Sequence, residues 1–445
     1  MIIDWCRMMP RAARAALLSA WTATALTGCA NTKADTAATP PLPETVPVLY
    51  MTAGNPSSGS TSVIRELAAE YAKTHPDFKF RIESVQNNDL SQKVQLLAAS
   101  NDLPAMFSYQ SGEPLLDLIR SGAVLELQGT FEQLGIAGQL NPVAVDLLKR
   151  MTDGMGLYAL PLELNIEGFW YNKTLFARYH LDEPRTWDDM LRAADVFKNA
   201  GIQPFAVAGK DKWPITRLIN AYAIRKLGAD AMERVYRGEL KLTDPGFVEA
   251  AGTVKQMAQA GYFGQDPNTV DIGSAMRAFT QGRAAMIYTG SWSIRDLNKT
   301  VEGRIPPEAI GFFSIPLAAE GLGALDEYPM NAGLTTSFSS EAYDDELGDF
   351  MKYAFARYGQ RSMDELGLIT GFKADTTGAG VPPLTRMVQS KLDGAARTAL
   401  WFEARFDTLA QMTAWNGAQL LIQDPSYTPA FYMSELQAAL DGHSG

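Results

Sequence analysis

Cysteine, histidine and positive charge are scarce in this chain of 445 residues. There are 2 cysteines, Cys6 and Cys29, and 3 histidines, His75, His180 and His443. With so few thiols, no C-x-x-C redox pair and no cysteine-based zinc site is available. His75 precedes Pro76, His180 follows a helical stretch and His443 lies in the tail, so neither a Ser/His/Asp set nor a histidine-rich metal site is readily built. There is no G-x-x-x-x-G-K-[ST] phosphate loop and no G-x-G-x-x-G after a strand. Lys and Arg total 39 against 50 Asp and Glu, a net charge of −11 with a sequence pI near 5.0. That balance argues against nucleic acid as a partner. The composition calls for no cofactor and no metal. Carboxylates are plentiful, so a pair suited to glycoside hydrolysis is the one enzymatic reading that stays open.

The composition, 46% hydrophobic and 20% charged with 37 Gly and 24 Pro, is that of a globular protein. A single core rarely grows past about 250 to 300 residues, so this length implies at least two lobes. Arg7, Arg11 and Arg14 lead into the apolar stretch Ala15–Thr27, shorter than the roughly 20 residues of a bilayer span and suited to an export signal. The stretch ends Leu26-Thr27-Gly28-Cys29, which resembles the lipobox of bacterial lipoproteins. Residues 1–28 are thus expected to be a lipoprotein signal peptide and Cys29 the lipidated new N-terminus; an ordinary cleavage site with an incidental Cys is the alternative. Removing three arginines and Asp4 takes the net charge from −11 to −13. Residues 29–46, rich in Ala, Thr and Pro, are expected to form a disordered tether.

From Val48 the pattern alternates between strand and helix. Val48–Thr52 reads as a strand and is followed by a small-polar loop; Val63, Ile64, Leu67, Ala68 and Tyr71 then form one face of a helix. Phe78, Phe80 and Ile82 alternate with Lys79 and Arg81, Leu90–Ala99 is helical, Ala105–Ser108 is a third strand, and Leu115, Leu118 and Ile119 lie on a third helix ended by Gly122. A second block begins with the strand Gly168–Asn172. Thr186-Trp187-Asp188-Asp189 opens a helix with a capping box, Pro204–Ala208 is a strand, and Ala284–Thr289 is a buried strand followed by Gly290-Ser291-Trp292. Such alternation specifies an α/β fold whose sheets are mostly parallel and flanked by helices, with ligands at the loops leaving the carboxyl ends of strands.

A neutral sugar needs donors and acceptors for its hydroxyls and an aromatic face for its C–H surface. Strand ends offer both. Trp292 follows a strand after two small residues that permit close approach, with core packing as the alternative. Tyr109 and Gln110 follow the third strand, where a plain surface loop would serve as well. Asn55 and Ser57 follow the first, where a turn role competes.

The stretches Gly168–Phe176 (GFWYNKTLF), Glu183–Met190 (EPRTWDDM), Gly201–Ala206 (GIQPFA) and Ala278–Trp292 (AFTQGRAAMIYTGSW) resemble, in order and spacing, the extracellular solute-binding proteins, family 1, of ABC importers, which include maltose- and oligosaccharide-binding proteins. The resemblance covers roughly residues 47–440. It implies a two-lobed periplasmic-binding-protein-like fold joined by a multi-strand hinge, with hinge strands near Leu164–Tyr171 and Gly311–Ile315. The lobes implied are 47–164 plus 316–365 and 165–315 plus 366–445. It further implies a sugar or oligosaccharide ligand, no catalysis, ABC transporter permease subunits as partners, an extracytoplasmic monomer held to the membrane by its lipid anchor, and hinge closure around the ligand. On the same ground Asp211 and Trp213 lie in a ligand-contacting segment, Glu163 and Asn165 at the lobe boundary, and Trp401 in the cleft. A non-sugar solute such as a peptide, polyamine or polyol phosphate is the main alternative, with a secreted glycoside-active enzyme or an adhesive lipoprotein further off.

Overall fold

The computed structural model describes residues 47–442 apart from Gly54, Pro56, Ser58 and Ala379. The expected signal peptide, Cys29 and the tether lie outside the described residues. No described helix is long and apolar enough to cross a membrane.

The first of two sheets contains β1 (Val48–Ala53), β2 (Phe80–Val85), β3 (Met106–Tyr109) and β9 (Thr335–Phe338), in the order β2-β1-β3-β9. β1 runs parallel to β2 and β3, and β9 is antiparallel to β3. Side chains alternate across its faces, as strand geometry requires. Tyr50, Met106 and Phe338 face a core with Val63 and Leu67 of the helix Gly59–Ala72 and Phe350 of Asp345–Phe355. Met51, Phe107 and Tyr109 face the other way, onto Leu90 and Val94 of the helix Asn87–Ala99 and Leu115 of Glu113–Arg120. The Tyr50 hydroxyl reaches Ser108 Oγ at 3.0 Å and Thr336 Oγ1 at 2.8 Å, so the buried polar groups of three strands satisfy one another.

The second sheet contains β4 (Asn165–Asn172), β5 (Gln203–Ala206), β6 (Ala284–Gly290), β8 (Glu327–Asn331) and β10 (Arg397–Ala399), in the order β10-β8-β4-β6-β5, with β7 (Ile310–Phe313) also paired to β4. Every residue of β4 except Tyr171 is buried, and Gly168 is required there: a Cβ would lie 2.5 Å from the Phe312 ring and 2.8 Å from the Phe313 carbonyl oxygen. The expected capping box opens the helix Trp187–Asn199, with Asp189 N–H donating to Thr186 Oγ1 at 3.1 Å and Thr186 N–H to Asp189 Oδ2 at 3.0 Å.

Two details differ from the sequence reading. The larger sheet is mixed, because β4 is antiparallel to β6, β7 and β8 and only β5–β6 and β8–β10 are parallel pairs. Strand–helix alternation predicts parallel pairing where a helix returns the chain, as it does between β5 and β6, but not where a strand carries the chain in from the other sheet. The second expected hinge strand, 311–315, begins in β7 (Ile310–Phe313), which pairs with β4 inside the larger sheet. The crossing lies further on: β8 pairs with β4, β9 pairs with β3, and only Ala332–Leu334 separate them.

Candidate functional site

A cavity of about 1050 Å³ opens at the carboxyl ends of β3 and β6. On one side it is lined by Ser91, Gln92 and Gln95 of the helix Asn87–Ala99 and by Gln110 and Ser111 beyond β3. The other side carries Trp213 and Arg217 of the helix Trp213–Leu227, Trp292 beyond β6, Trp401 and Glu403, and Trp415 of the helix Thr408–Gln423. All four tryptophans are half-buried, whereas Trp170 and Trp187 are sealed in the core.

Trp292 is held from two sides. Its ring folds onto Gly290, where a Cβ would lie 2.0 Å from the ring, and its edge meets Trp213 with centroids 5.8 Å apart at 67°. The glycine therefore seats the tryptophan itself, and the two indoles form a corner. Trp213 and Arg217 lie four residues apart on one helix, which stacks the guanidinium near the ring at 5.9 Å, with Trp401 on it at 5.3 Å.

Beneath the aromatic surface lies a buried ion cluster. Arg217 Nη1 donates to Glu167 Oε1, and its Nε to Glu403 Oε2 at 3.2 Å. Glu403 also accepts from Thr216 Oγ1 and from Trp415 Nε1 at 3.2 Å, and Glu167 from the Tyr288 hydroxyl at 3.2 Å and Asn331 Nδ2 at 3.4 Å. Burial would depress the Arg217 guanidinium, but Glu167 and Glu403 outweigh it and hold its pKa up. Burial pushes the Glu167 carboxyl above the usual carboxylate range, opposed by Arg217 and assisted by the charge of Glu403. Each charge is paired and hydrogen-bonded, as a buried ion must be.

At one end of the cavity the sides touch. Arg405 reaches Asp153 at 2.5 Å and Glu113 at 3.4 Å, and Gly112, at φ +104°, lies so close to the Ala404 carbonyl that a Cβ would sit 2.8 Å from its oxygen. Only glycine combines that dihedral with that approach. Among the described residues no group of three or more His, Cys, Asp or Glu could hold a metal ion.

The family model for bacterial extracellular solute-binding proteins matches residues 55–360. The chain belongs to that family. A multiple sugar-binding protein of Streptococcus mutans is 23% identical over 341 residues, 73% of this chain and 76% of the relative. An ABC transporter extracellular-binding protein of Pyrococcus horikoshii is 26% identical over 241 residues, 53% of this chain and 55% of the relative. The chain spans about half the length of the first curated relatives it matches. The solved structure of a chitin oligosaccharide binding protein superposes with a TM-score of 0.77 at 21% identity, over 90% of this chain and all of that one, and so shares its fold.

In this solute-binding protein, Gln110, Trp213, Trp292 and Trp401 line the cavity and the other expected site residues do not. Asn55 and Ser57 are exposed in a turn closed by Ser57 N–H donating to Asn55 Oδ1 at 2.9 Å. The Tyr109 ring turns into the core behind β3. Asn165 is buried and accepts from Ser291 Oγ at 3.1 Å. Asp211 caps a turn by accepting from Ile272 N–H at 2.5 Å. Glu163 sits below Gly333, with burial raising its pKa against the hydrogen bonds of Asn165 and Ser60. Asn55 Oδ1, Asn165 Oδ1 and Asp211 Oδ2 are thus already engaged within the fold. The lining also includes Gln92, Gln95, Arg217 and Glu403, which sequence reasoning did not single out, and Trp415, which it left undecided. The i, i+4 pairing of Trp213 with Arg217 was a usable signal for one of them.

Proposed function

We propose that this protein is the extracytoplasmic solute-binding component of an ABC importer, which captures a sugar or oligosaccharide in the cavity and delivers it to membrane permease subunits. The observation that carries the reading is the pairing, across one cavity, of four half-buried tryptophans with a row of amide and hydroxyl side chains. Indole faces suit the C–H surface of a pyranose, and Gln and Ser suit its hydroxyls. The names of relatives that bind multiple sugars and chitin oligosaccharides point the same way.

In this reading the two sheets head two lobes that close on the ligand, with boundaries near those the resemblance implies except that residues 327–331 go with the larger sheet. The protein works as a monomer, turns nothing over, and is tethered by a lipid on Cys29. Two acyl chains are needed for stable anchoring, so Cys29→Ser should release the protein or leave it unprocessed.

Calorimetric titration with mono- and oligosaccharides, run beside an assay for released reducing ends, tests the reading. Saturable heat without new reducing ends is the expected result. The cognate solute should also stabilise the fold by about 2.7 kcal/mol at 100 Kd and shrink the radius of gyration. Release of products, or no heat with any saccharide, would overturn it.

A further inference from the structure

Arg217 is the one cation in the interior of the cavity among the described residues. Arg120 also lines it, but at the surface and paired with Asp117 at 3.3 Å. The guanidinium is not available as a countercharge. Nη1 and Nε are held by Glu167 and Glu403, whose side chains are 1% and 2% exposed, so two buried carboxylates face one buried cation. With both carboxylates ionised the cluster carries a formal net charge of −1, and the remaining Nη2 makes no hydrogen bond to a described residue.

We propose that the Glu167–Arg217–Glu403 cluster is a charge filter: it offers Arg217 as a donor to neutral sugar oxygens and rejects glycans that carry a carboxylate, sulfate or phosphate at that subsite. This deepens the sugar-binding reading and rests on it. In a cation-only pocket an arginine attracts carboxylates through paired N–H donors. Here one donor of each pair, Nη1 and Nε, is taken, and a ligand anion would meet a net negative charge in a poorly screened interior, where like charges repel far more than in water. A neutral hydroxyl or ring oxygen meets no such cost and can accept from Nη2. Trp213 and Trp401, packed against Arg217, hold its plane in place.

The test is calorimetric titration with neutral and acidic partners of matched size: xylotriose against a glucuronic-acid-substituted xylotriose, and galactotriose against trigalacturonate, with raffinose and chitotriose added to widen the neutral set. Each neutral sugar that binds should bind at least about tenfold tighter than its acidic partner. The variant Glu167→Gln/Glu403→Gln leaves Arg217 as an unmatched cation and should shift that ratio toward the acidic sugar by about tenfold or more. If thermal melting shows the double variant unfolded, Glu403→Gln alone should move the ratio in the same direction by less. Wild-type binding of an acidic sugar as tight as its neutral partner, or a ratio unmoved in a folded variant, overturns the filter and leaves the sugar reading standing. If no saccharide binds at all, the sugar reading falls and the filter with it.

Discussion

The two sides of the cavity offer different chemistry. The side headed by β1 and β3 presents amides and hydroxyls, Ser91, Gln92, Gln95, Gln110 and Ser111, of which Gln92, Gln95 and Gln110 are exposed. The side headed by β4 and β6 presents four indoles set on a buried ion cluster. On the first Ser111 is tied back, its Oγ 3.0 Å from Thr335 Oγ1, and the glutamines stay exposed, while the second is packed and hydrogen-bonded before any ligand arrives. A preorganised aromatic surface gives up little freedom on binding, and mobile glutamines must be ordered. The aromatic side should therefore carry the affinity, and the amide side should adjust to the particular solute.

The largest effect should come from the ion cluster. Arg217→Met leaves Glu167 and Glu403 buried without their cation and should cost about 3–5 kcal/mol, seen as a fall in Tm. Trp187→Ala, in the core beneath the same side, should cost a similar amount while leaving the affinity of the folded protein intact. If Arg217→Met melts like the wild type, the aromatic side is not preorganised by its ions.

Removing an indole should act on binding. Trp292→Ala or Trp401→Ala should contribute a loss of roughly 1 to 3 kcal/mol, about 5- to 150-fold in Kd by calorimetry. On the opposite side Gln92→Ala and Gln95→Ala should each lose about 0.5–1.5 kcal/mol of binding, the net return of a hydrogen bond, with little change in Tm. A larger loss at the glutamines than at the tryptophans would reverse the comparison.

The smallest effect lies where the sides join. Glu163 has a raised carboxyl pKa in the folded protein, so above that pKa the ionised folded form is disfavoured relative to the unfolded chain. As pH falls from the raised value toward the ordinary 4.5, the folded state takes up the proton first and stability rises. Glu163→Gln removes the dependence: it should be the more stable protein at neutral pH, and its advantage in Tm should vanish by about pH 4. A gap that widens on acidification would mean that the folded carboxylate is favoured.

How legible all this was in the chain depended on what each residue does locally. Val63, Leu67 and Tyr71 repeat at helical spacing and Phe80 and Ile82 at strand spacing, because both elements have one buried face; β4 is buried along nearly its whole length, so no period marks which way its neighbours run. At the site, Trp292 was legible because a buried strand ends in two small residues. Gln92 and Gln95 were not, since polar residues facing a cavity look the same as polar residues facing solvent. Asn165 and Asp211 look available in the chain, but in the fold Ser291 Oγ and Ile272 N–H already occupy them.

The corner formed by Trp213 and Trp292 has an optical consequence. Two indoles 5.8 Å apart at 67° are close enough to share excitation and to add a coupled circular dichroism contribution that neither gives alone. Four of the 8 tryptophans in the chain line the cavity, while Trp170 and Trp187 are sealed away as a constant background. On the proposed reading, a solute laid against that corner should change the indole emission, so the unlabelled protein would report its occupancy as light.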